Sequence, residues 1–76
     1  MNKERGLYNT TKEVSNRLNT CKYYNNKIIW SDQYIKTLNF ITEQWRYGLL
    51  TYKEYKLLYV ATSKTFEKYI SMLAIK

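Results

Sequence analysis

Histidine and proline are absent from this chain, cysteine occurs once and glycine twice. With no His and a single Cys21, the chain cannot form a zinc site of the usual kind, a disulfide framework, a Ser/His/Asp triad or a Cys/His dyad. The shortage of glycine and proline disfavours a turn-rich all-β fold, which draws on both residues for its turns. Acids are scarce too: six Asp and Glu face thirteen Lys and Arg, a net charge of +7. The longest apolar run, Leu57-Leu58-Tyr59-Val60-Ala61, is far shorter than a membrane-spanning helix requires. No apolar stretch follows Lys3-Glu4-Arg5 to serve as a signal peptide, so a cytoplasmic protein with a reduced thiol is expected.

Seventy-six residues, 45% hydrophobic and 25% charged, fit one small globular domain. A chain of this size buries roughly 60% of its unfolded surface and is marginal alone. A charge of +7 suits a polyanionic partner, nucleic acid or an anionic surface. The abundance of Lys, Asn, Tyr and Ile also follows from AT-rich codons, which produce basic proteins without selection for DNA binding. Arginine is the better guide to bidentate phosphate and guanine contacts, and there are three: Arg5, Arg17 and Arg46.

Periodicity and caps predict an all-α fold of three to four helices. Residues 1–9 lack periodicity and read as a basic arm, ahead of a single helical domain over 10–76. Thr10 with Glu13 forms a capping-box pattern, and Val14 and Leu18 share a face, which predicts a first helix over about 11–19. Residues 20–30 read either as a tight hairpin around Asn25-Asn26 or as a short helix capped by Thr20. The helix is the favoured reading. Ser31 and Asp32 are N-cap residues for a helix over about 32–47, in which Tyr34, Leu38, Ile41 and Trp45 recur at helical spacing. Gly48 supplies its C-terminal stop. Thr51 and Glu54 form a second capping box, with Leu50 and Tyr55 as its hydrophobic staple. A helix then follows over 52–74, either unbroken or restarting at Thr62 or Ser63. The short link between these two long helices predicts a C-terminal antiparallel helical hairpin.

Tyrosine is in surplus, with nine residues. Tyr34, Tyr55, Tyr59 and Tyr69 fall on apolar stripes and read as core. Tyr8, Tyr23, Tyr47 and Tyr52 do not all fit a stripe and some are expected at the surface, where Tyr is suited to stacking or to interface contacts. Glu13 and Glu54 read as caps, and no two acids are spaced as a metal site or an acid/base couple. The chain is therefore expected to be non-enzymatic, with no cofactor.

The string Thr10-Thr11-Lys12-Glu13-Val14-Ser15-Asn16-Arg17-Leu18 resembles the first helix of excisionase-type and related MerR-like helix-turn-helix proteins of phages and mobile elements. The likeness extends over residues 10–29 and departs at Thr20 and Asn25, where the family keeps aliphatic residues. It implies that Asn19 and Thr20 form a turn and that a recognition helix follows for the major groove. On that pattern Lys22, Tyr23, Asn25, Asn26 and Lys27 would read DNA, with Arg5, Lys12 and Arg17 on the backbone. The function implied is that of a small DNA-binding regulator, excisionase-like or a recombination directionality factor, acting alone or with a recombinase. Tyr47-Gly48-Leu49-Leu50-Thr51-Tyr52-Lys53-Glu54-Tyr55 is similar to the SHOCT helical-hairpin module, though most of that module's acids are replaced here.

A rival reading is a protein-binding inhibitor of the anti-defence or immunity type. It would act through a Tyr-rich surface comprising Arg46, Tyr47, Tyr52, Lys53 and Lys56. Self-association into a homodimer would also cover exposed aromatics. Lys53, Lys56, Lys64 and Lys68 beside an apolar face match an interfacial membrane helix, but closing so small a core uses that apolar face, so no membrane partner is expected.

Overall fold

The computed structural model describes residues 3–74 and the side chains of 6–73. Three helices account for most of them: α1 (Lys3–Cys21), α2 (Lys27–Arg46) and α3 (Tyr52–Ala74). There is no strand among the described residues, so the chain is all-α.

The first helix starts earlier than its cap pattern predicts. The described part of the expected arm, residues 3–9, is helical, and Thr10 lies inside α1 instead of capping it. The Thr10 hydroxyl is buried and donates to the Gly6 carbonyl at 2.7 Å, a back-bond available to Thr inside a helix. The physical reason for the early start is tertiary. Gly6 is buried against the α2–α3 link, and a Cβ there would run into the Leu49 carbonyl. Leu7 packs on the cluster of Val14, Ile41 and Leu50. Those contacts reward helix where local periodicity is weak.

Residues 20–30 form neither a hairpin nor a separate helix. Asn19 and Thr20 are helical, Lys22 and Tyr23 turn, and α2 has begun by Lys27. The turn closes through Tyr23 N–H to the Thr20 carbonyl and Tyr24 N–H to the Cys21 carbonyl. The α2 cap is Asn26, not Ser31 or Asp32. Its side-chain oxygen accepts from Ile28 N at 2.8 Å and Ile29 N at 3.2 Å. An Asn in extended conformation ahead of an open helix end satisfies two orphan donors at once, so α2 nucleates before Ser31 is reached. The Trp30 indole N–H donates to the Tyr24 carbonyl at 2.9 Å and ties the turn down.

The α2–α3 link follows its sequence pattern. Gly48 lies at φ +80. Its N–H bonds the Trp45 carbonyl, and Leu49 N–H bonds the Gln44 carbonyl, which is the Schellman arrangement. Thr51 and Glu54 exchange reciprocal bonds at 2.9 and 3.1 Å. The third helix then runs unbroken through Thr62 and Ser63.

Two apolar clusters share Leu18. One centres on Val14, Ile41 and Leu50, the other on Cys21, Trp30 and Phe66. Between α2 and α3 lies a run of rings. Trp30 stacks on Tyr69 at 5.0 Å, Tyr34 on Phe66 at 5.6 Å and Trp45 on Tyr55 at 4.6 Å. Such pairs add to the area they bury.

Candidate nucleic-acid interface

The turn between α1 and α2 is the most exposed part of the expected DNA-reading set. Lys22, Tyr23, Asn25 and Lys27 are all exposed, and Tyr23 is 86% exposed. They do not share one recognition helix, because residues 22–26 are a turn and link and Lys27 is the first residue of α2. Asn26 spends its side-chain oxygen on the α2 cap, which removes the acceptor half of a bidentate adenine contact. Lys22 lies over the Tyr69 ring, 5.4 Å from its centroid.

The backbone-contacting set is split. Lys12 is exposed on α1, roughly 15 Å along the helix axis from Lys22 by helical rise. Arg17 is engaged within the fold: its Nε donates to Glu13 at 2.9 Å and its guanidinium sits 4.8 Å from the Phe40 ring centroid. The side chain of Arg5 lies outside the described residues. A cleft of about 640 Å³ opens beside Arg17, lined among others by Glu13, Cys21, Tyr24, Ile28 and Asp32. The one thiol there is Cys21, which burial pushes up from its ordinary pKa, so it stays protonated and unreactive near neutrality.

The second expected set is more compact. Arg46, Tyr47, Tyr52, Lys53 and Lys56 are all exposed around the α2–α3 link. Tyr47 is 71% and Tyr52 57% exposed. Lys56 Nζ lies 5.8 Å from the Tyr52 ring centroid. Tyr52 is 5.7 Å from Trp45, and Tyr55 continues the row to Tyr59 at 5.6 Å. Farther along α3, Lys64 and Lys68 are exposed, and helical spacing puts them on the same side as Lys53.

Charge is distributed unevenly between what the fold uses and what it leaves free. Glu13 pairs with Arg17, and Asp32 with Lys36 at 3.0 Å. Glu54 closes its capping box, and Glu67 accepts from the Tyr34 hydroxyl at 2.9 Å. Burial, then the Glu67 bond, raises the Tyr34 pKa. Lys12, Lys22, Lys27, Arg46, Lys53, Lys56, Lys64 and Lys68 are exposed and make no ion pair among the described residues.

Sequence reasoning missed the aromatic row, because its stacked pairs join side chains from two different helices, and it missed the cap role of Asn26. The second had a signal: Asn directly before Lys27-Ile28-Ile29-Trp30 is as good an N-cap as Ser31. Among the described residues no cluster of His, Cys, Asp and Glu stands ready to hold a metal ion. No described helix is long and apolar enough to cross a membrane. Neither a protein-family model, nor a curated protein, nor a solved structure matches this chain.

Proposed function

We propose that this chain is a small, non-enzymatic DNA-binding protein of the excisionase or recombination-directionality kind, held to its polyanion by surface lysines and acting alone or with a recombinase. The observation that carries the reading is the division of charge. Four of the acids with described side chains make an ion pair or hydrogen bond within the chain, while eight Lys and Arg are exposed and make no ion pair among the described residues. Unpaired surface cations attract phosphates, and binding releases the counterions condensed on the nucleic acid.

With these residues not on one recognition helix, sequence discrimination would rest on Lys22, Tyr23 and Asn25 of the exposed turn and on Lys27 at the start of α2. Lys12 and the α3 lysines would contact phosphates. In this reading α2 and α3 form an antiparallel hairpin that presents the α3 lysines as one ridge. The order of ring pairs, Trp30 with Tyr69 and Trp45 with Tyr55, supports it.

Fluorescence anisotropy with a random-sequence duplex tests the function. Binding that weakens steeply with salt is expected, with a log–log slope of about −0.9 per phosphate neutralised. Absence of binding even at low salt overturns it.

One observation favours the protein-binding alternative. Ile28 is 80%, Leu57 65% and Ile35 61% exposed, alongside the surface tyrosines. Exposed apolar groups of this size mark interaction surfaces when they are contiguous. A protein partner captured by the wild type and lost in Tyr47→Ala, with no DNA binding, would favour it.

A further inference from the structure

We propose that the cation–aromatic cluster at the α2–α3 link is a stacking site for unpaired nucleobases, so that the chain prefers single-stranded to duplex nucleic acid. The inference rests on the nucleic-acid-binding part of that reading and goes beyond it: it adds a separate contact site at the α2–α3 link and the strand form that this site takes. Two ingredients define such sites: a ring face open to solvent, and cations close enough to hold the flanking phosphates. Both are present. The Tyr52 and Tyr47 rings are exposed at either end of one short link. Arg46 and Lys53 are their chain neighbours, and Lys56 sits against Tyr52.

The Tyr52 ring is held in place. It lies 5.7 Å from Trp45 at an interplanar angle of 60° and 6.1 Å from Tyr55. Trp45 in turn stacks on Tyr55 at 9°. The link itself is fixed by the Gly48 turn and the Thr51–Glu54 bonds. A ring held this way loses little side-chain entropy when a base lands on it, and stacking needs only a π-face, not a particular base. Bases inside a duplex present edges and not faces to a protein, so this cluster has no comparable use for a closed duplex. Charge complementarity selects the occupant: Lys56 lies against the Tyr52 ring, the exposed Arg46 and Lys53 directly flank Tyr47 and Tyr52 along the chain, and the Glu54 carboxylate is bonded to Thr51 N–H.

Anisotropy of the full chain with a labelled thymidine homo-oligomer and with a duplex of equal length tests the site, with tryptophan emission read in parallel. Trp45 borders the cluster, whereas Trp30 is 3% exposed, so a base at Tyr52 should quench emission. Tighter binding to the single strand is expected. Tyr52→Ala should weaken it about ten-fold, as the loss of one stacked base does, and Tyr52→Phe should restore it. Tyr47→Ala serves as a second probe of the same surface. Lys53→Ala and Lys56→Ala should each lower the single-strand salt slope by about 0.7. Equal or tighter binding to the duplex, or unchanged affinity in both tyrosine-to-alanine variants, overturns the stacking site while leaving DNA binding intact. Binding to neither form overturns both.

Discussion

At the residue scale, four positions have consequences out of proportion to their size. Gly6 has no room for a methyl group, because a Cβ would meet the Leu49 carbonyl, and backbone cannot swing aside as a side chain can. Gly6→Ala is expected to destabilise by about 1–3 kcal/mol, the range for overpacking, read as a lower urea midpoint. Thr37 is wholly buried and its hydroxyl has no hydrogen-bond partner among the described residues. An unsatisfied buried hydroxyl costs about 1–3 kcal/mol, so the isosteric Thr37→Val should leave stability unchanged or raise it. A fall of more than about 0.5 kcal/mol, the size of a modest hydrogen bond, would show that the hydroxyl has a partner. Cys21 and Tyr34 both have raised pKa values, chiefly from burial. The unfolded chain therefore releases these protons at lower pH than the folded one. Over that interval the unfolded state binds fewer protons, so stability falls as pH rises. Urea midpoints should decline from the ordinary thiol range upward, and Cys21→Ala should flatten the decline. An alkylating reagent should modify Cys21 only as fast as the chain opens.

At the element scale, the caps explain where the helices begin and end. Asn26 satisfies two donors of α2, so Asn26→Ala should cost about 1 kcal/mol. Asp32→Ala should cost far less, since its partner Lys36 is a surface pair of the kind worth little. The order of these two effects in urea melts separates the observed start of α2 from the start that Ser31-Asp32 predicts. The second capping box and the Gly48 turn were legible because each is a local pattern with a local partner. The early start of α1 was not, because Gly6 and Leu7 find their partners in Leu49 and in the Val14–Ile41–Leu50 cluster. The same division applies to the candidate site. Tyr47, Tyr52 and the neighbouring cations could be named from the sequence, while the ring row that holds Tyr52 joins residues from two helices.

At the scale of the whole molecule, the chain is slender. Its extents are 44 × 19 × 14 Å and its radius of gyration is 12.9 Å, against roughly 11 Å for a compact domain of this length. It exposes 5575 Å², where a compact monomer of its mass exposes roughly 5,000 Å². A slender body keeps few residues fully buried, so each one matters more. Phe66 is wholly buried and meets both Trp30 and Tyr34. Phe66→Ala should cost about 3–5 kcal/mol, much of the roughly 4–11 kcal/mol expected for a domain this long. Circular dichroism of that variant should show a largely unfolded chain or a sharply lowered melting temperature. Nucleic acid that binds only the folded form should raise the wild-type melting temperature with concentration.

The amino-acid sequence alone settled the all-α class, the α2–α3 link and the excess of cations, because helical periodicity, capping chemistry and net charge are properties of neighbours along the chain. Tertiary structure decided the rest. It extended α1 back to Lys3 by giving Gly6 and Leu7 somewhere to pack, whereas the Asn26 cap is a local bond to the N–H groups of Ile28 and Ile29. It also decided which charges stay free: the Tyr34–Glu67 bond joins side chains from different helices, and no local pattern specifies which side chains meet across a helix seam.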